Sequence, residues 1–150
     1  MKKILLLLNL LAFSFVSCEG PMGPPGEPGE GVKWEILPYE VVGKDWKLVG
    51  KAGALGSYYM YEFREPLLTS FVCEKGNVFG YRWLDDVTQT PLGQVVVVGE
   101  VDDYGQEFLF SEVYSFSFRP GHITFYVDYS DFETGLGHPD TCEFRIVLNF

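Results

Sequence analysis

Four side chains between Ser130 and Asp140 have the types that acyl-transfer chemistry uses. Ser130 offers a hydroxyl nucleophile, His138 a base, and Asp131 or Asp140 a carboxylate to orient the imidazole. That chemistry also needs a strained nucleophile elbow or an oxyanion hole, and the chain has no GxSxG stretch to build one. Glycine-rich sequence followed by His-Pro-Asp is ordinary turn composition. The stretch is therefore expected to be a turn-forming loop. A small hydrolase centred on Ser130 and His138 stands as the third functional alternative.

Other chemistries meet similar obstacles. Asp85–Asp86 and Asp102–Asp103, with Glu107, could supply oxygen ligands to calcium, but the DxDxDG loop spacing is missing. Neighbouring aspartates on a strand point to opposite faces, so both pairs are expected to be solvated turns. The cysteines and histidines show no CxxC or HxxxH spacing and suggest no zinc site. No glycine-rich loop opens a helix to cradle phosphate. Nothing singles out two carboxylates for glycoside hydrolysis. The expectation is a non-enzymatic chain without a cofactor.

Aromatic residues make up 17% of the sequence. Tyr58 and Tyr126 fall opposite the main apolar rows of their segments, and Trp46 sits in a short, polar-flanked piece. Sugar rings stack on exposed aromatic faces, and protein partners use the same rings as anchors. Trp46, Tyr58 and Tyr126 are thus the candidate ligand contacts. The simpler expectation is that their rings fill a core.

The chain opens MKKILLLLNLLAFSFVSC. Lys2 and Lys3 precede an apolar run from Ile4 to Val16, shorter than the roughly 20 residues that span a bilayer. It fits a secretory leader. Phe15-Val16-Ser17-Cys18 resembles the lipobox of bacterial lipoproteins, with Phe15 departing from the usual leucine. The resemblance implies that residues 1–17 are removed and that Cys18 becomes a lipidated N-terminus. Two or more acyl chains make a stable anchor where one is marginal. Glycine then recurs at positions 20, 23, 26 and 29 in GPM, GPP, GEP and GEG. Four triplets are too few to hold a collagen triple helix, which needs sustained periodicity. Their composition favours a polyproline II spacer reaching about 40 Å over residues 19–31. A tether, and a monomer rather than a trimer, is expected.

Removing residues 1–17 takes away two of the 11 basic residues and none of the 21 acidic ones, deepening the net charge from −10 to −12. Nucleic acid and anionic lipid both require basic patches, so neither is an expected partner. The membrane is reached through the lipid on Cys18. An exported compartment permits a disulfide between Cys73 and Cys142, although their local phases disagree. Cys142 shares parity with the inward Phe144 and Ile146, whereas Cys73 falls on the outer side of a short helix.

The elements needed to position these groups are strands. KWEILPYEV, DWKLVG, SYYMYEF, NVFGYRWL, QVVVVGEV, EFLFSEVYSFSF, ITFYVDYSD and CEFRIVLNF read as strands between turn signals. Pro38 suggests an edge position for the first, and the unbroken valines suggest burial for QVVVVGEV. Residues 65–76 read as one short helix, with Pro66 at its first position and Gly76 at its end. Residues 32–150 are expected to form an all-β, antiparallel β-sandwich, immunoglobulin-like or jelly-roll-like, with about seven to eight strands and one short helix.

The lipobox, the collagen-like stub, DWKLVG, TSFVCEKGNVFGYRW, HITFYVDYSD and FRIVL together resemble an uncharacterised group of small lipoproteins from Gram-negative anaerobes. The resemblance implies a lipid-anchored protein of the cell envelope, at the outer membrane, and carries over no catalytic residues. A likeness to the trimeric jelly rolls that follow collagen stalks in complement proteins is one of layout alone. The expected function is a non-enzymatic interaction or structural module with a protein or glycan partner. A glycan-binding module using exposed aromatics is the alternative.

Overall fold

The strands form in two antiparallel sheets. In the computed structural model the described residues are 31–101, 104–132, 134, 135 and 137–150. The leader, Cys18, the collagen-like triplets, Asp102 and Asp103 lie outside them. Val32–Phe150 forms one compact unit. Its strands are β1 (Trp34–Val41), β2 (Lys47–Val49), β3 (Tyr58–Glu65), β4 (Asn77–Trp83), β5 (Gln89–Pro91), β6 (Val95–Val101), β7 (Glu107–Arg119), β8 (Gly121–Tyr129) and β9 (Cys142–Asn149). One helix among the described residues, α1 (Ser70–Lys75), joins β3 to β4, and a 3-10 turn covers Gly43–Asp45. The four-stranded sheet runs β1-β9-β4-β5, and the five-stranded sheet runs β2-β3-β8-β7-β6.

Period-two alternation decides what the sandwich buries. Phe144, Ile146 and Leu148 of β9 and Ile123, Phe125 and Val127 of β8 are each no more than 1% exposed. The sheets meet where Phe125 stacks on Phe144, with ring centroids 4.2 Å apart and planes within 11°. Tyr114, Phe116 and Phe118 of β7 register opposite Val127, Phe125 and Ile123 and share their inward face. A Pro120–Gly121 turn closes this hairpin, and Gly121 takes the φ of +80° that such a turn needs. Gly80 marks a close approach: a Cβ there would stand 2.6 Å from the Phe116 ring.

Four expectations need correction. The helix begins at Ser70, not Pro66, because the Thr69 side chain caps it by accepting from the Val72 N–H at 3.2 Å. Only Leu68 and Val72 of its apolar residues reach the core, while Phe71 stays 62% exposed. The valine run of β6 is an edge strand and mostly exposed, since β-branched composition reports pleated backbone and not depth. The described residues hold nine strands because the polar loop after β4 contains the three-residue β5. Finally, Cys73 and Cys142 are free thiols. Cys142 opens β9 opposite Val41, whereas α1 ends at Gly76, beside Asn149 at the other end of that strand. Seven strand residues separate those ends by about 23 Å, far beyond the roughly 7 Å a disulfide tolerates.

Candidate functional site

The Ser130–Asp140 stretch is a loop folded onto the sandwich. The Ser130 hydroxyl accepts from the Ser111 N–H at 2.8 Å, and its own N–H donates to the Ser111 carbonyl at 2.9 Å. Ser130 therefore extends the β7–β8 ladder. His138 packs its ring 5.8 Å from that of Tyr59 on β3, the neighbour on the other side of β8. The serine and histidine are turned to opposite flanks of one strand. Asp140 presents its carbonyl, not its carboxylate, to the Trp46 indole N–H at 3.2 Å. Thr134 is 2% exposed and bonds the Ser57 hydroxyl at 2.7 Å, while the Tyr59 hydroxyl lies 2.8 Å from the Thr134 carbonyl and 2.6 Å from that of Gly137. These bonds hold a loop in place and assemble no nucleophile.

The proposed aromatic trio does not form one platform. Trp46 is only 2% exposed, edge-on to Phe144 with centroids 6.3 Å apart, so it belongs to the core. Its polar flanks misled because its single polar atom is satisfied by a carbonyl inside. Tyr58 and Tyr126 are half-buried neighbours on the outer face of the five-stranded sheet, their rings 6.0 Å apart and tilted 59°. The Tyr126 hydroxyl is bonded to that of Ser117 at 2.8 Å.

A more extensive aromatic surface lies on the outer face of the other sheet. Residues directly opposite in an antiparallel ladder share a face. The register aligns Trp34 with Asn149 and Asn77, then Ile36 with Val147 and Phe79, then Pro38 with Arg145, Tyr81 and Pro91. Continuing the ladders sets Glu40 with Glu143, Trp83 and Gln89. One end of this face is apolar: Trp34, Ile36 and Phe79 are 59%, 60% and 45% exposed. The middle holds Arg145, whose guanidinium carbon sits 5.4 Å from the Tyr81 ring and whose Nη1 donates to Gln89 Oε1 at 3.0 Å.

At the other end Trp83 separates two adjoining hollows. One, of about 480 Å³, is lined by Trp83, Leu84, Asp85, Asp86, Thr141 and Glu143. The second, of about 270 Å³, adds Pro38 and Glu40 to Trp83 and Glu143. Asp85 is held below the usual carboxylate range by N–H donors from Val87 and Thr88. It therefore serves its own turn, leaving Asp86, Glu143 and Glu40 to line the hollows. Among the described residues no three His, Cys, Asp or Glu side chains are grouped closely enough to hold a metal ion.

The period of Phe79, Tyr81 and Trp83 is visible in the sequence, but reads equally well as a core row. The discriminating signal is the opposite phase, which carries Gly80 and Arg82. Gly80 leaves room for Phe116, and the Arg82 guanidinium lies 3.7 Å from the Tyr114 ring, so that phase faces inward and the aromatics face out. Burial pushes the Cys142 and Tyr114 pKa values up in the same interior.

No family model, curated protein or solved structure matches the chain.

Proposed function

We propose that this protein is a lipid-anchored component of a Gram-negative envelope, at the outer membrane, whose sandwich is a non-enzymatic interaction module. It engages a protein partner through the outer face of the four-stranded sheet. The observation that supports this reading is the row of Trp34, Ile36 and Phe79, large apolar side chains left together in solvent on a rigid sheet. Contiguous exposed apolar surface of this kind marks interaction sites, and Trp is enriched among binding anchors. The hydrogen bonds of Ser130 and the ring contact of His138 favour this reading over the hydrolase. The test places a photo-cross-linking amino acid at Phe79 in cells. One discrete adduct is expected, weakened by Trp34→Ala and absent when the probe is at Leu109 on the other sheet. Equal labelling at both positions would remove the basis for the assignment.

The hollows beside Trp83 favour a second reading, a glycan-binding module. An indole face for a sugar ring, with Asp86, Glu143 and the Thr141 hydroxyl around it, is the combination a polyol needs. Affinity electrophoresis in polysaccharide gels checks it: retardation should disappear in Trp83→Ala and persist in Tyr126→Ala.

A further inference from the structure

The two sheets have four edges, and three of them are guarded. β2 and β5 are three residues each, and β5 carries Pro91. β1 carries Pro38, Glu35 and Glu40, with Lys33 paired to Glu35 at 2.9 Å. Short strands, prolines and charges are the devices by which sheets avoid adding further strands. β6 has only a single charge, Glu100 near its end. It is seven residues long, reads VVVVGEV, and pairs only with β7. Val95, Val97 and Val101 on its outer face are 63%, 64% and 63% exposed. Alternate N–H and C=O groups of an edge strand point away from its sheet and await a partner.

We infer that β6 is a self-association edge, on which β6 of a second copy pairs antiparallel about a two-fold axis through Val97. A two-fold contact requires a surface complementary to itself. Centring the pair on Val97 sets Val96 opposite Val98, Val95 opposite Gly99, and Gln94 opposite Glu100. The only charge in β6 thus meets an amide. The Gln94 oxygen already accepts from the Thr90 hydroxyl at 2.6 Å, so its NH₂ group remains to donate to the Glu100 carboxylate of the second copy. Centring on Val98 would instead oppose Glu100 to Val96, and centring on Val96 would leave it outside the paired run. A nearly uncharged strand also suits a copy of itself better than a charged peptide, because each chain carries a net −10 and can approach its like most cheaply where charge is absent. The product is a closed dimer with one continuous ten-stranded sheet, which departs from the monomer expected from the sequence.

The experiment uses the full-length chain with single cysteines introduced in turn at positions 94 to 101. After a mild thiol oxidant, each is compared with wild type on a non-reducing gel. The expected result is a covalent species of twice the monomer's mass on the same gel, strongest at Val97→Cys and several-fold weaker at Val95→Cys and Gly99→Cys. Sedimentation in detergent should give a dimer for wild type and a monomer for Val97→Lys, with an unchanged circular dichroism spectrum. Because position 97 is solvent-exposed, that variant tests association and not folding. A profile without a maximum at 97, a cross-linked species of any other mass, or a dimer that survives Val97→Lys would each overturn the inference.

Discussion

Individual residues in this domain divide between those that fill the sandwich and those that only close it. Phe144 stacks on Phe125 at the meeting point of the sheets, so Phe144→Ala should cost roughly 3–5 kcal/mol as a core cavity. His138 is exposed and touches one ring, so His138→Ala should stay within about ±0.5 kcal/mol. Thermal melts of the two variants check this, and ester or peptide turnover lost in both Ser130→Ala and His138→Ala would contradict the loop assignment. Tyrosines give a pH prediction. Burial raises the pKa of Tyr39, Tyr114 and Tyr129 from 10.0, and the Tyr39 hydroxyl also donates to Glu65 at 2.6 Å. Above pH 10.0 the unfolded chain gives up these protons while the folded one keeps them, so stability is intact below that pH and falls as pH rises through it. The phenolate absorbance of these three should appear together with the loss of circular dichroism in an alkaline titration. Ionisation of all three tyrosines in a still-folded chain would contradict it.

Elements were legible to the extent that their periodicity was tied to an unambiguous inner row. The alternation of Tyr114, Phe116 and Phe118 against Ile123, Phe125 and Val127 announces the β7–β8 hairpin, and the Pro-Gly turn fixes its register. The phase of Phe144, Ile146 and Leu148 is equally plain. Depth was not legible where both faces or neither are apolar. The valines of β6 and the aromatics of β4 look like core in sequence and lie at an edge and on an outer face. The site followed the same rule: Tyr58 and Tyr126 did come together, whereas Trp46 was misread because the carbonyl that satisfies it lies 94 residues away. Gly80 is the local test of the β4 assignment. Gly80→Ala should destabilise by about 1–3 kcal/mol, since its Cβ would press on Phe116 and Leu92 across the core. A melt equal to wild type would mean that β4 packs with the other face inward.

At the scale of the whole molecule the domain and its proposed anchor can be tested apart. Val32–Phe150 is a compact unit that contains every described strand. Cys18→Ala should move the protein from the membrane to the soluble fraction without altering its melting temperature, because the lipid on Cys18 is the proposed anchor and the apolar run from Ile4 to Val16 is shorter than a bilayer span. Fractionation and radiolabelled palmitate check this. Label still entering the Cys18→Ala chain would refute the lipobox assignment.

The order of the four-stranded sheet also has a consequence in time. β9 stands between β1 and β4, and those two strands pair with it and not with each other. Both must therefore wait for residues 142–149, the strand that leaves the ribosome after all the others. Pairing over such sequence distances is slow, because the intervening loops must close first. For the export proposed above, that delay leaves the four-stranded sheet unassembled until synthesis has passed Cys142. A form stopped before that residue should never acquire the four-stranded sheet and should be degraded in the cell.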